Sequence, residues 1–156
     1  MTDFATLSRL LEPLRRRVML TVGRAVLRAV SDAPGLQTLQ LTLLAGETRD
    51  GVERVQPYGL TSVPNAGAEA VVLCIGGNRD HPVAIVVGDA GGRPSGLGAG
   101  EVCLYSAQDA GGGHRILMKA DRTIVIQGLR VRIEATSLDV VGNIRASGSI
   151  TPGASL

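Results

Sequence analysis

The chain has 156 residues, 44% of them hydrophobic and 19% charged, which fits one folded domain, or a domain with an appendage, and excludes a disordered chain. Sixteen Lys+Arg against fourteen Asp+Glu leave a net charge of +2, a balance that does not mark a nucleic-acid binder. With aromatics at 2% and 21 glycines, the core has to be aliphatic and the turns frequent, as in short-stranded folds.

Residues 3–17 predict an amphipathic helix. Phe4, Leu7, Leu10, Leu11 and Leu14 recur at three- and four-residue spacing, and Thr2 or Asp3 can cap its start. Pro13 is expected to kink or end it. Arg15, Arg16 and Arg17 fall at the negative end of the helix dipole. The triplet reads as a solvated helix end, with an acidic partner surface as the sharper alternative.

From Val18 the period changes to strands, over 19–30, 36–44, 52–57, 68–75 and 81–87. The turns Ser31-Asp32-Ala33-Pro34-Gly35, Thr48-Arg49-Asp50-Gly51 and Gly76-Gly77-Asn78-Arg79-Asp80 separate several of them. Spacing this tight leaves no room for crossover helices, so residues 18–88 are expected to form a small OB-like antiparallel barrel. Cys74 and Cys103 lie in hydrophobic runs without a CxxC pair or a His-rich tract. They read as small strand residues, with a disulfide as the alternative in a secreted chain, and no cofactor or metal is expected. No run approaches a membrane span and no signal-peptide core opens the sequence, so a product that is soluble when made in a cytoplasm is expected.

Residues 89–100 are Gly-rich and read as a linker, and 101–156 change character. Short strands are expected at 101–107, 115–120, 123–127, 129–135, 138–141 and 144–150. Ile124, Ile126, Val131, Ile133, Leu138, Val140, Ile144 and Ile150 form one apolar face, and Arg130, Arg132, Glu134, Asp139 and Arg145 lie opposite. A narrow meander cannot cover such a face, and each residue left in water forgoes roughly 1.5–3 kcal/mol. Several copies pooling their faces, as a threefold prism, is the expected solution, in preference to the ribbon folding back on its own barrel.

Five segments, in order, are similar to the Mu-like central spike proteins, the baseplate assembly protein V family of contractile tails. They are Leu44-Ala-Gly-Glu-Thr-Arg-Asp50, Val55-Gln-Pro-Tyr-Gly-Leu-Thr-Ser-Val-Pro64, Gly67-Ala-Glu-Ala70, Gly76-Gly-Asn-Arg-Asp-His81, and Arg93-Pro94 with Gly100-Glu-Val-Cys-Leu-Tyr-Ser106. The resemblance covers about residues 18–130. It implies an all-β homotrimer in the virion tail baseplate, with an N-terminal OB-like barrel and an intertwined triple-stranded β-helix. Such a protein pierces the host outer membrane mechanically when the sheath contracts. A baseplate hub protein would then receive the helix through Phe4, Leu7, Leu10, Leu11 and Leu14.

Long members of that family hold iron through a His-x-His element. No His follows His114 here, so no metal ligand carries over. The expectation is a separate tip protein seated at Ile150, Thr151 and Pro152.

Chemical readings are weaker. His81 and His114 sit in turns without a nucleophile motif, and Gly96–Gly100 lacks the strand–loop–helix unit of a dinucleotide site. Asp50, Glu53 and Glu69 read as solvated barrel carboxylates, or as partners of Arg49 and Arg54 across subunits. Tyr58 and Tyr105 are expected to bury their rings. No catalytic residue is assigned. The alternatives are a single-stranded nucleic-acid-binding OB protein, which would need aromatic platforms, and a wall hydrolase, for which no insert is left.

Overall fold

The computed structural model describes residues 4–43, 46–106 and 113–151. Helix α1 spans Phe4–Met19 and leads directly into β1, Val22–Ser31. There follow β2 (Thr38–Thr42), β3 (Thr48–Arg54), β4 (Glu69–Cys74) and β5 (Pro82–Gly88), with a 3-10 turn at Ile75–Gly77 between β4 and β5. Three shorter strands, β6 (Val102–Tyr105), β7 (Arg115–Met118) and β8 (Ile124–Gln127), form a separate sheet.

Strands β1–β5 close into a barrel in the order β1-β2-β3-β5-β4, and β4 returns to β1. All neighbours are antiparallel except β3 and β5, which run parallel through Glu53–Val83 and Arg54–Ala84. Irregularities bend the long strands. Arg28 bulges out between Leu27 and Ala29, which pair with Leu41 and Gln40. Opposite Gln40, the Asp50-Gly51 pair inserts an extra residue, and Gly51 takes a φ of 65°. Bulges add twist and bend, which a small barrel needs for closure.

The core is aliphatic, as the composition requires. Leu27, Leu39, Leu41 and Val72 are fully buried among Ala25, Ala68, Ala70, Ala84, Leu43 and Val52. Alternation along the strands places them: Ala25 and Leu27 face inward from β1, while Val22, Arg24 and Val26 face outward. Alanines on β1, β4 and β5 leave the bore to the leucines of β1 and β2. Cys74 is a free thiol buried in this barrel, and Cys103, also free, is partly buried in β6.

Several details differ from the expected pattern. The barrel is not wholly antiparallel, because β3 and β5 pair in parallel. Residues 48–51, expected as a turn, open β3, and Asp50-Gly51 forms a bulge there instead. Helix α1 runs through Pro13 to Met19, although an interior proline removes one backbone hydrogen bond and costs about 3 kcal/mol. Tyr58 is fully exposed in the β3–β4 connection, and Tyr105 is also exposed, at the margin of the second sheet. Both rings therefore lie outside the core. Finally, the strands expected at 129–135, 138–141 and 144–150 do not form within one chain. Among the described residues, no backbone hydrogen bond ties 129–151 to the rest of the molecule. An extended segment makes a ladder only when another strand lies beside it, and the described residues supply none.

The helix is fixed to the barrel at its last turn. Thr21 Oγ1 donates to the Arg17 carbonyl (3.0 Å), and Cys74 N donates to the Thr21 carbonyl (2.8 Å). Gly77, at φ 72°, lies directly against the Arg17 backbone. Leu7, Leu10, Leu11 and Leu14 upstream of this clamp, and Val18 just after Arg17, remain exposed.

Candidate functional site

The second sheet is built on a strict register. Leu104, Ile116 and Ile126 stand in one row across β6, β7 and β8, and Val102, Met118 and Ile124 in the next. All six side chains lie on one face and all are exposed. On the other face, Cys103, Leu117 and Val125 are partly buried. At the open end, Arg115 Nε donates to Gln127 Oε1 at 2.9 Å. At the closed end, the Asp121 carboxylate accepts from Thr123 N at 2.9 Å, and this bond holds its pKa below the ordinary aspartate value.

Sequence periodicity identified Ile124 and Ile126 on this face but missed Val102, Leu104, Ile116 and Met118. The runs Val-Cys-Leu-Tyr and Arg-Ile-Leu-Met are apolar on both parities, so only the register decides which residues share a face. Beyond β8, Val131, Ile133, Leu138, Val140, Ile144 and Ile150 continue as exposed side chains on an unpaired backbone. Leu129 and Val141, outside the expected face, are also fully exposed. Arg132 and Glu134 pair locally. A groove of about 450 Å³ runs along the sheet between Leu104, Ile116, Ile126 and Val131.

The other residues singled out by sequence fall in separate places. In helix α1, the described members of the stripe, Leu7, Leu10, Leu11 and Leu14, are exposed together. The side chain of Phe4 and the whole of Pro152 lie outside the described residues, as do the expected caps Thr2 and Asp3. Thr151 and Ile150 are exposed.

Asp50 accepts from Gln40 Nε2 at 2.6 Å, and Glu69 accepts from Arg24 at 2.5 Å. Asp50 and Glu53 share a shallow cleft of about 230 Å³ with Asp80 and His81 at the mouth of the barrel. Arg49 in that cleft pairs with Glu47 (2.5 Å) and Asp80 (3.0 Å), and Arg79 also pairs with Glu47. These contacts lie within one chain. Asp80 thus belongs to a surface ion network with Arg49, Glu47 and Arg79, and among the described residues lining the cleft no Ser, Thr or Cys stands beside His81. His114 is exposed in the turn before β7, against Gly128. Among the described residues, no group of three His, Cys, Asp or Glu is placed to hold a metal.

A polar knot that sequence inspection did not find pins the β3–β4 connection. Gln37, the buried polar residue of the barrel, donates through Nε2 to Asp32 Oδ1 (2.7 Å) and to the Ser62 carbonyl (3.2 Å). Arg54 donates to Gln37 Oε1 (2.7 Å), to the Ser62 carbonyl (2.5 Å) and to Ser62 Oγ (3.0 Å). Burial lowers the Arg54 pKa from its ordinary value, and Asp32 opposes that shift. No local pattern announces this knot, because its members come from the β1–β2 connection, the end of β3 and the β3–β4 connection.

Taken together, the described residues define a class: an OB-like barrel carrying a β-ribbon, whose largest unsatisfied surfaces are aliphatic faces and open backbone rather than a reactive pocket. Residues 24–91 match the family described as Bacteriophage Mu Gp45, N-terminal. The chain is 42% identical over 133 residues to the Mu-like prophage FluMu protein gp45 of Haemophilus influenzae, covering 85% of this chain and 70% of that protein. It is also 42% identical over 131 residues to the baseplate puncturing device gp45 of Escherichia phage Mu, covering 84% of this chain and 64% of the phage protein. The chain belongs to the Mu gp45 family.

Proposed function

We propose that this protein is a structural spike of a contractile-tail baseplate, located in the virion tail or a tail-like particle. Its role is mechanical: it pierces the host outer membrane when the sheath contracts. The observation that carries this reading is the 42% identity, over 84% of the chain, with the baseplate puncturing device of phage Mu. No barrel feature favours single-stranded nucleic-acid binding.

In this reading three copies pool their ribbons into an intertwined triple-stranded β-helix. The support is physical. Among the described residues, 129–151 find no backbone hydrogen-bond partners, and six further apolar side chains are exposed on the β6–β8 sheet. Strands from neighbouring chains supply the missing hydrogen bonds, and the pooled faces recover roughly 1.5–3 kcal/mol for each aliphatic removed from water. Ile124, Ile126, Val131, Ile133, Leu138, Val140, Ile144 and Ile150 line the axis, with the charged residues outside. Such a needle resists axial load because separating one chain breaks many backbone bonds at once.

The barrel end, with helix α1, faces a baseplate hub protein, and the region of Ile150, Thr151 and Pro152 seats a separate tip protein. The native mass of the full-length protein tests the arrangement. A mass of three chains is the expected result. A monomer would leave the β-helix without its partners and would overturn the spike reading.

A further inference from the structure

Helix α1 carries a heptad pattern within its amphipathic stripe. Phe4, Leu7, Leu11, Leu14 and Val18 follow at intervals of three, four, three and four residues, the a/d repeat of a coiled coil sustained along the whole helix. Leu10, also exposed, widens this stripe at a g position, and within it the a/d residues form the seam by which helices of a coiled coil meet. Leu7, Leu11, Leu14 and Val18 are exposed, so the barrel of the same chain does not cover the seam. The outward heptad positions hold Arg9, Glu12, Pro13 and Arg16. Pro13 therefore falls where its ring leaves the seam open.

Two further observations bear on the occupant. A free-standing helix of 16 residues is barely long enough to persist in water, so α1 needs cover. The clamp of Gly77 on Arg17 and the Thr21 bond also fix the direction in which the helix leaves the barrel. In a threefold assembly, three identical clamps send three helices the same way with the same face toward the axis, as a parallel coiled coil requires.

We infer that the α1 helices of three copies form a short parallel coiled coil, with Phe4, Leu7, Leu11, Leu14 and Val18 at its centre. This rests on the trimeric reading above and changes its hub contact. The seam is occupied by sister helices, and the hub meets Leu10 and the arginine-bearing outer side.

Disulfide trapping in the full-length chain tests the inference, in a Cys103→Ser background with Cys74 left buried. Under mild oxidation, Leu14→Cys at the seam should link chains in pairs and leave the third chain of each trimer unlinked. Arg16→Cys on the outer side should stay unlinked. In parallel, Leu11→Asp should lower the helical circular-dichroism signal while the ribbon keeps the trimeric mass. A trimer in which Leu14→Cys fails to link, or links no better than Arg16→Cys, overturns the coiled coil and leaves the trimer standing. A monomeric mass for the unsubstituted chain overturns both.

Discussion

Gly77 presses its Cα against the backbone of Arg17, so the turn after β4 and the last turn of α1 meet without an intervening side chain. Its neighbour Gly76 has a similar left-handed backbone, φ 64°, but open space around it. The pair separates two effects that usually travel together.

Gly76→Ala should cost about 1–2 kcal/mol, the strain of a left-handed alanine. Gly77→Ala should cost clearly more, because its methyl group overlaps the Arg17 main chain and forces the helix off the barrel. Urea unfolding of both variants, followed by circular dichroism, checks the difference. Equal costs would mean that the helix clamp contributes nothing.

The knot at Gln37 leads to a second expectation. Gln37→Leu keeps the volume but removes the acceptor of Arg54 and the donor to Asp32 and Ser62. The groups left behind cannot all regain water, so about 1–3 kcal/mol of stability should be lost. Amide hydrogen exchange should show the 55–64 connection opening more readily, with the barrel strands still protected. Unchanged exchange there would mean that the connection holds without the knot.

Acid should loosen the β7–β8 turn through Asp121. Its carboxyl is held below the usual aspartate range, first by the Thr123 backbone N–H and then by the Thr123 hydroxyl. A carboxyl with a lower pKa in the folded than in the unfolded state stabilises above its unfolded value. That contribution disappears as pH falls through the lowered folded value. The Thr123 amide should therefore exchange faster, relative to its neighbours, at the acid end, and Asp121→Asn should abolish that pH dependence. An identical acid profile in the variant would exclude the mechanism.

Position along the unpaired ribbon should decide the effect of a charge. Ile133 shares the parity of Val131 on the proposed trimer axis, whereas Val141 follows Leu138 and Val140 on the opposite parity and is 103% exposed. Ile133→Asp buries a carboxylate among aliphatics and should reduce the native mass from three chains to one. Val141→Asp should leave it at three. Dissociation by both substitutions, or by neither, would contradict the assigned parity.

How much was legible in the sequence varied with the distance over which each feature is decided. The helix was legible because Leu7, Leu11 and Leu14 lie within two turns of one another, and only its passage through Pro13 and its end at Met19 were missed. The alternation in Val131, Ile133, Leu138 and Val140 led to the expectation of one apolar face without a partner. It could not say that the backbone would remain unpaired in a single chain. Tyr58 was misplaced because aromaticity argues for burial, while its site in a connection held at Ser62 leaves the ring in water.

By itself, then, the sequence determined what local periodicity and composition control: an aliphatic core, one N-terminal helix, short strands and the positions of most turns. Tertiary structure decided the rest. The parallel pairing of β3 with β5, the Gln37–Arg54–Ser62 knot and the Gly77–Arg17 contact join residues remote in the chain, and the rows Leu104–Ile116–Ile126 and Val102–Met118–Ile124 are set by strand pairing. Such contacts depend on barrel closure and strand register, which no window of neighbouring residues encodes.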